Sequence, residues 1–197
     1  MTTAEMLATF RFRMEDPTGE KWDSSSLTEI YKIFSDAQRI AIRTLADAGK
    51  FQYLQELQEA FGDSLSGGSI ALPSDFFIPI SLLDPYNRWV KLFNFPPDKL
   101  DKDTVFLSND KANSYGYIFG NRLYLHGFDS TVAVYICNYI RKPTNIDGSH
   151  DPELCDYANQ LTIAIATWLA WAIDRQFDRV NSVAQEIAII HGVKLQQ

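Results

Sequence analysis

Three histidines, two cysteines and scattered carboxylates are the groups in this 197-residue chain that could do chemistry. His126 and Asp129 have the spacing of an acid/base pair, yet they flank a glycine turn at a strand end, where a polar loop histidine is the stronger reading. His150 precedes Asp151, and Asp151 ahead of Pro152 reads as a helix N-cap with proline at the first helical position. A nucleophilic Cys137 or Cys155 would need an activating base and a nearby positive field. Cys137 lies in a strand-like run and Cys155 at a helix start, without metal-type spacing, so both read as reduced, buried thiols. Asp101, Asp103 and Asp110 lack the regular spacing and terminal glutamate of a calcium loop and read as a solvated loop. "SLSGGS" has glycines but no lysine and no strand-to-helix context, so it is no phosphate-binding loop. These residues imply no catalytic group, no metal and no cofactor, and an enzyme is not expected.

The composition points elsewhere. At 46% hydrophobic and 22% charged, the chain has the apolar material for a real core, and its 13% aromatic share suggests large packed surfaces. Net charge is −7 with no basic run, so the electrostatic footprint of a general nucleic-acid binder is missing. No apolar h-region stands near the N-terminus, so no signal peptide is expected. The uncharged run "YANQLTIAIATWLAWAI" is seventeen residues long with four polar ones, short of the roughly twenty apolar residues of a membrane span. It reads as a buried helix, with no membrane involved.

The elements that would position these groups read as follows. A helix is expected over 24–48, capped by Asp23 or Ser24, with Ser26 and Glu29 at capping-box spacing. Ile30, Phe34, Ala37, Ile40, Ala41 and Leu45 form its stripe, and Gly49 is placed for a left-handed C-cap. "FQYLQELQEAF" is ambiguous between helix and strand. In "SIALPSDFFIPI" a corner of Leu72, Pro73, Asp75 and Phe76 should re-aim the chain from a helical layer into a sheet. Leu72 and Phe76 would anchor it and Asp75 would satisfy turn N–H groups. A strand follows over 76–83, with Pro79 marking an edge or bulge, and 88–93 is its partner across "DPYN". "FPPDKLDKDTVF" reads as a short helix or tight loop. "YGYIFGNRLYLHG" is the clearest hairpin, turning on Gly120 and Asn121. Its pairing puts Tyr115, Tyr117, Phe119, Tyr124 and His126 on one face and Ile118, Leu123 and Leu125 on the other. A strand over 131–140 and a long helix over about 152–190 complete the chain. Arg175 and Asp178 stand at a favourable i,i+3 spacing on that helix. The fold class expected is α+β: a helical core of the N-terminal helix and the long C-terminal helix, packed with a small antiparallel β region at about 59–140. Residues 1–22 would be an extension, 23–190 a single domain and 191–197 a tail.

In order and spacing the chain resembles the head-to-tail adaptor (connector) proteins of tailed bacteriophages, related in role to the podophage tail tubular protein A. The stretches that carry the likeness are "WDSSSLTEIYKIFSDAQRIAI", "SIALPSDFFIPI", "GNRLYLHGFDSTVAVYICNYIRKP" and "DPELCDYANQLTIAIATWLAWAIDRQFDRV". "NFPPDKLDKDTVFLSNDKANS" departs from the family in being longer and more polar, and the first twenty residues have no counterpart there. The resemblance implies a structural virion protein at the head–tail interface, assembled in the host cytoplasm. It would form a ring, commonly of twelve copies, between the portal protein and the tail or nozzle proteins. Viral DNA would pass through the lumen without sequence-specific binding. Glu186, Ile189, Ile190, His191, Val193 and Leu195 near the C-terminus, or Tyr115, Tyr117 and Phe119 on the hairpin, are then the expected portal or subunit contacts. The competing readings are a small soluble cytoplasmic enzyme or ligand-binding domain with a pocket around His126 and Tyr124, and another tail or baseplate structural protein.

Overall fold

The computed structural model describes residues 1–16, 18–22, 27–64, 69–84, 86–93, 115–126 and 134–193. The expected caps at Asp23, Ser24 and Ser26, the segment "FPPDKLDKDTVF" and the residues Asp101, Asp103, Asp110, Asp129 and Leu195 lie outside them. Two units divide the chain: Met1–Leu57 with Lys142–Gln197, and Gln58–Arg141.

The first unit is helical. It opens on helix α1 (Thr3–Arg13), within the residues expected only as an extension. Thr2 and Glu5 form a reciprocal capping box, and Met6 and Phe10 are buried. The Phe10 ring meets Trp22 and Phe34 edge-on at 5.6 and 5.3 Å. A stripe of two residues is too short to declare a helical period. After it, the Gly19 N–H donates to the Asp16 carbonyl at 3.0 Å.

Helix α2 (Leu27–Asp47) buries Ile30, Phe34, Ala37, Ala41 and Leu45 of its expected stripe, but Ile40 is only half-buried and Ile42 is buried in its place. It ends on Gly49 at φ +70°. Lys50 N–H reaches back to the Leu45 carbonyl and Gly49 N–H to that of Ala46, a Schellman cap. Two 3₁₀ turns, Phe51–Tyr53 and Gln55–Leu57, resolve the ambiguous stretch.

The single long C-terminal helix is two: α3 (Asp156–Ile173) and α4 (Phe177–His191). The break is another Schellman cap, with Gln176 N–H on the Trp171 carbonyl and Arg175 N–H on that of Ala172. Arg175 takes φ +57° where glycine would be the usual choice, so no glycine announces the stop. The expected Arg175–Asp178 helical pair is therefore not formed. Within α3 nearly every residue from Ala158 to Thr167 is buried. The Thr162 and Thr167 hydroxyls donate to carbonyls one turn back, at 2.9 Å each, and the Asn159 amide donates to the Leu154 carbonyl at 2.7 Å. That is how the polar residues of an apolar helix are carried inside. Asp151 does not cap α3, whose N-cap is Cys155. Its carboxylate accepts the Thr3 N–H of α1 at 2.8 Å.

The second unit overturns the expected fold class. It is a seven-stranded mixed sheet with a core of its own, not a small antiparallel annex to a helical core. Its strands are β1 (Gln58–Ser64), β2 (Ser69–Ala71), β3 (Phe76–Leu83), β4 (Trp89–Phe93), β5 (Tyr115–Phe119), β6 (Arg122–His126) and β7 (Val134–Arg141). They lie in the order β1-β7-β3-β4-β5-β6-β2. All neighbours are antiparallel except β4 and β5, paired parallel with Lys91 opposite Tyr115 and Phe93 opposite Tyr117.

Chain length requires this sheet to curl. The outermost strands β1 and β2 are consecutive, and Ser64 and Ser69 are five residue steps apart. Those steps reach at most about 18 Å. A flat sheet of seven strands would hold its edges roughly 29 Å apart at about 4.8 Å per strand. Closing that difference gives the nearly closed, barrel-like form. Inside it Ile70, Leu82, Val90, Leu123, Tyr135 and Cys137 form the core, with Phe61, Leu72, Phe76, Leu92, Ile118 and Leu125 packed on it.

Several details of this unit follow the sequence. Leu82 pairs with Val90 across the β3–β4 turn. Register shifts flank Pro79, the bulge that a proline inside a strand calls for. Gly120, at φ +61°, opens the two-residue β5–β6 turn, and cross-strand pairing sorts the hairpin residues onto the two expected faces.

Candidate functional site

The corner at Leu72, Pro73, Asp75 and Phe76 joins β2 to β3 within one sheet, so it does not carry the chain out of a helical layer. The Phe76 N–H closes a turn on the Pro73 carbonyl at 3.1 Å, and the Leu72 N–H donates to the Asn121 carbonyl at 2.9 Å. Phe76 is half-buried and stacks on Tyr139 with 5.1 Å between ring centroids, while Phe61 meets both rings edge-on. Among the described residues Asp75 accepts no turn N–H. The Tyr139 hydroxyl lies 3.1 Å from its carboxylate and 3.2 Å from that of Glu59, which also pairs with Arg141 at 3.1 Å. One hydroxyl proton faces two carboxylates. Burial, and then the Asp75 contact, push the Tyr139 hydroxyl above the usual tyrosine range, so it stays a donor. The cluster ties edge strand β1 to the corner; it exposes no nucleophile.

The candidate contact residues fall into different environments. On the hairpin, Tyr115 is buried, Tyr117 stacks on Tyr124 at 5.1 Å, and Phe119 is exposed. Near the C-terminus, Ile189 and Ile190 are exposed, at 81% and 59%. His191 and Val193 are buried instead, and Glu186 pairs with Arg13 at 2.8 Å. Tyr157 and Lys50 donate to the His191 carbonyl. Burial, with Arg13 and Lys50 nearby, holds the His191 imidazole below its ordinary pKa, against a weaker pull from Glu186.

The groups screened for chemistry are occupied structurally. Asp147, Ser149 and His150 lie together, with His150 Nδ1 2.9 Å from Asp147 Oδ1 and the Ser149 hydroxyl 2.7 Å from the same oxygen. This is a turn, not a triad. Asp147 Oδ1 also accepts the Ser149 and His150 N–H groups, and the Ser149 hydroxyl is nearer this carboxylate than the 3.1 Å that separates it from His150 Nδ1. The contacts from His150 and then Ser149 hold the Asp147 carboxyl well below the usual range. Burial pushes the Cys137 thiol up to about 12, leaving it protonated and unreactive. Cys155 Sγ lies 3.5 Å from the Tyr53 carbonyl. Among the described residues no group of three or more His, Cys, Asp or Glu side chains could hold a metal ion, and no helix is long and apolar enough to cross a membrane. The helical unit has a shallow cleft of about 450 Å³, lined chiefly by Tyr31, Lys32, Asp36, Arg39, Asn145 and Asp147. Arg39 is bonded within it to Asp36 and Asn145.

Sequence reasoning passed over a third surface. In the β3–β4 turn Tyr86 and Trp89 are 78% and 77% exposed, with Arg88 between them. "DPYN" signals the turn, but which side chains it presents depends on tertiary context. Exposed large apolar side chains therefore occur on both units: Phe12, Ile173, Phe177, Ile189 and Ile190 on the helical one, Tyr86, Trp89 and Phe119 on the sheet. No family model matches the chain, and no curated protein is significantly similar to it.

Proposed function

We propose that this chain is a structural subunit of a tailed-bacteriophage connector, assembling as a ring between portal and tail. The reading starts from the sequence resemblance. The observation that carries it further is the set of large apolar side chains exposed on both units, each of which already has its own core. Where such side chains gather into a patch, they mark contacts with other protein. Its work is geometric: copies dock on the portal, offer the opposite side to tail or nozzle proteins, and enclose a passage for DNA. A net charge of −7 suits a wall along which phosphates slide without being gripped.

The deciding experiment is co-assembly. The purified chain is added to portal rings of the same phage and examined by mass photometry and negative-stain microscopy. Closed rings of about a dozen copies seated on portal are expected. A chain that stays monomeric with portal present overturns the proposal, and turnover of a small molecule in the Lys32–Arg39 cleft would replace it with the ligand-binding reading.

A further inference from the structure

Hydrogen bonds tie the described residues of the β3–β4 turn to Asp84. Asp84 is only 4% exposed, and its carboxylate accepts the N–H groups of Tyr86 and Arg88 at 2.8 Å each and the Arg88 Nε at 2.7 Å. The Asp84 N–H donates to the Arg88 carbonyl, the Asn87 N–H to that of Asp84, and Asn87 takes φ +59°. Burial works to raise the Asp84 carboxyl, but the bonds from Arg88 and Tyr86 outweigh it and set it below the usual range. The pin is charged at neutral pH. It engages only the inner nitrogen of the guanidinium, whose centre lies 5.2 Å from the Tyr86 ring centroid while the side chain is 69% exposed. Tyrosine, tryptophan and arginine are the types that dominate binding energy at protein interfaces, and a tip already held in place loses little entropy on docking.

A surface of matching character lies at the α3–α4 turn. Ile173 and Phe177 are 63% and 67% exposed there. Asp178 follows, exposed and without a hydrogen-bond or ion-pair partner among the described residues. The tip presents aromatics with a cation; this patch presents apolar groups with the unpaired Asp178 carboxylate, beside the exposed Arg175. We infer that the tip of one copy docks on the α3–α4 turn of a second copy, with Arg88 pairing with Asp178 and Trp89 and Tyr86 covering Phe177 and Ile173. The two surfaces differ, so the contact is heterologous: it runs head to tail and closes into a ring when the rotation permits. It rests on the ring-subunit reading and names the residues that would join one copy to the next. Copies at −7 repel one another, so a local cation facing a carboxylate is what such a contact requires.

The test uses the full chain, alone at high concentration and with portal rings. A photo-reactive phenylalanine analogue at position 89 is expected to cross-link to the peptide around residues 173–178 of another copy. Arg88→Gln, which keeps a donor for Asp84, and Asp178→Asn should each weaken assembly about tenfold, and the double variant by no more than either alone, as for two halves of one contact. Multiplying effects, wild-type assembly by either variant, or cross-links elsewhere overturn the contact while leaving the ring standing. A wild-type chain that assembles under neither condition removes both.

Discussion

A methyl group placed on Gly116 tests whether the seven strands close over one core. An added Cβ would lie 2.9 Å from Leu82 Cδ2, 3.1 Å from Leu125 Cδ2 and 3.4 Å from Leu123 Cδ1. Leu125 is the direct cross-strand partner of Gly116, so crowding there would occur in any hairpin. Leu82 is different. It sits on β3, with β4 between it and β5, and strands two places apart in a flat sheet are about 9.6 Å distant. The approach arises because the strands bend toward a common interior. Overpacking costs about 1–3 kcal/mol and a Gly→Ala change returns about 0.4–1 through the unfolded chain, so Gly116→Ala should lose about 0.5–2 kcal/mol. Leu82 is fully buried, and Leu82→Ala alone should lose about 2–5 kcal/mol.

In the double variant the new methyl group enters space that Leu82 has vacated. The losses should fall short of additive by about 0.5–3 kcal/mol. The chain has two units, so a single melting temperature would mix their responses. Hydrogen exchange of β3 and β5 peptides, read by mass spectrometry across a urea series, isolates the sheet. A neutral Gly116→Ala, or additivity within about 0.5 kcal/mol, would show that the two residues do not share a core, and the curled sheet would be wrong.

Perturbations at four further positions have defined outcomes. Phe76→Ala, which removes a half-buried ring stacked on Tyr139, should cost about 2–3 kcal/mol. Asp75→Asn, which still accepts the Tyr139 hydroxyl, should cost under about 1 kcal/mol; urea titration of the sheet peptides checks both, and a mild Phe76→Ala would deny the corner its anchor. Gly49→Ala meets no atom within 4 Å, so its loss of about 1–2 kcal/mol comes from left-handed backbone alone, with Gly49→Asn losing less; hydrogen exchange of α2 peptides across a urea series separates them. His191, lowered in the folded chain, makes the helical unit less stable as pH falls below about 6.5, where the unfolded chain takes up the proton first. Urea midpoints of α4 peptides, read by hydrogen exchange from pH 8 to 5, should decline for the wild type and stay flatter for His191→Phe, and parallel profiles would refute this.

What could be read in advance followed whether a local signal and the tertiary arrangement agreed. Helix α2, the β5–β6 hairpin and the β3–β4 pair each carried both a period and a stop, and each was legible. The sheet as a whole was not. β1, "QEAFGDS", is mostly polar, and β2 has three residues. What makes them strands is pairing with β7 and β6, which no local pattern encodes. The corner was visible as a turn, but its destination depended on those missing strands.

Helix ends show the same divide more sharply. Three Schellman caps end α1, α2 and α3, with left-handed residues Glu15, Gly49 and Arg175 in equivalent positions. Only Gly49 announces itself. At the other two, side chains accept a conformation that costs roughly 1–2 kcal/mol, and ion pairs stand close by. Glu15 pairs with Arg179 at 2.8 Å, and Lys21 with Asp174, the residue before Arg175. Those partners come from distant parts of the sequence, so the reason for each stop lies outside its own segment. The break before α4 leaves Phe177 and Asp178 at the start of a new helix, not in the middle of a long one. Their exposure at a helix start is thus a consequence of a stop that, like the one after α1, no glycine marks.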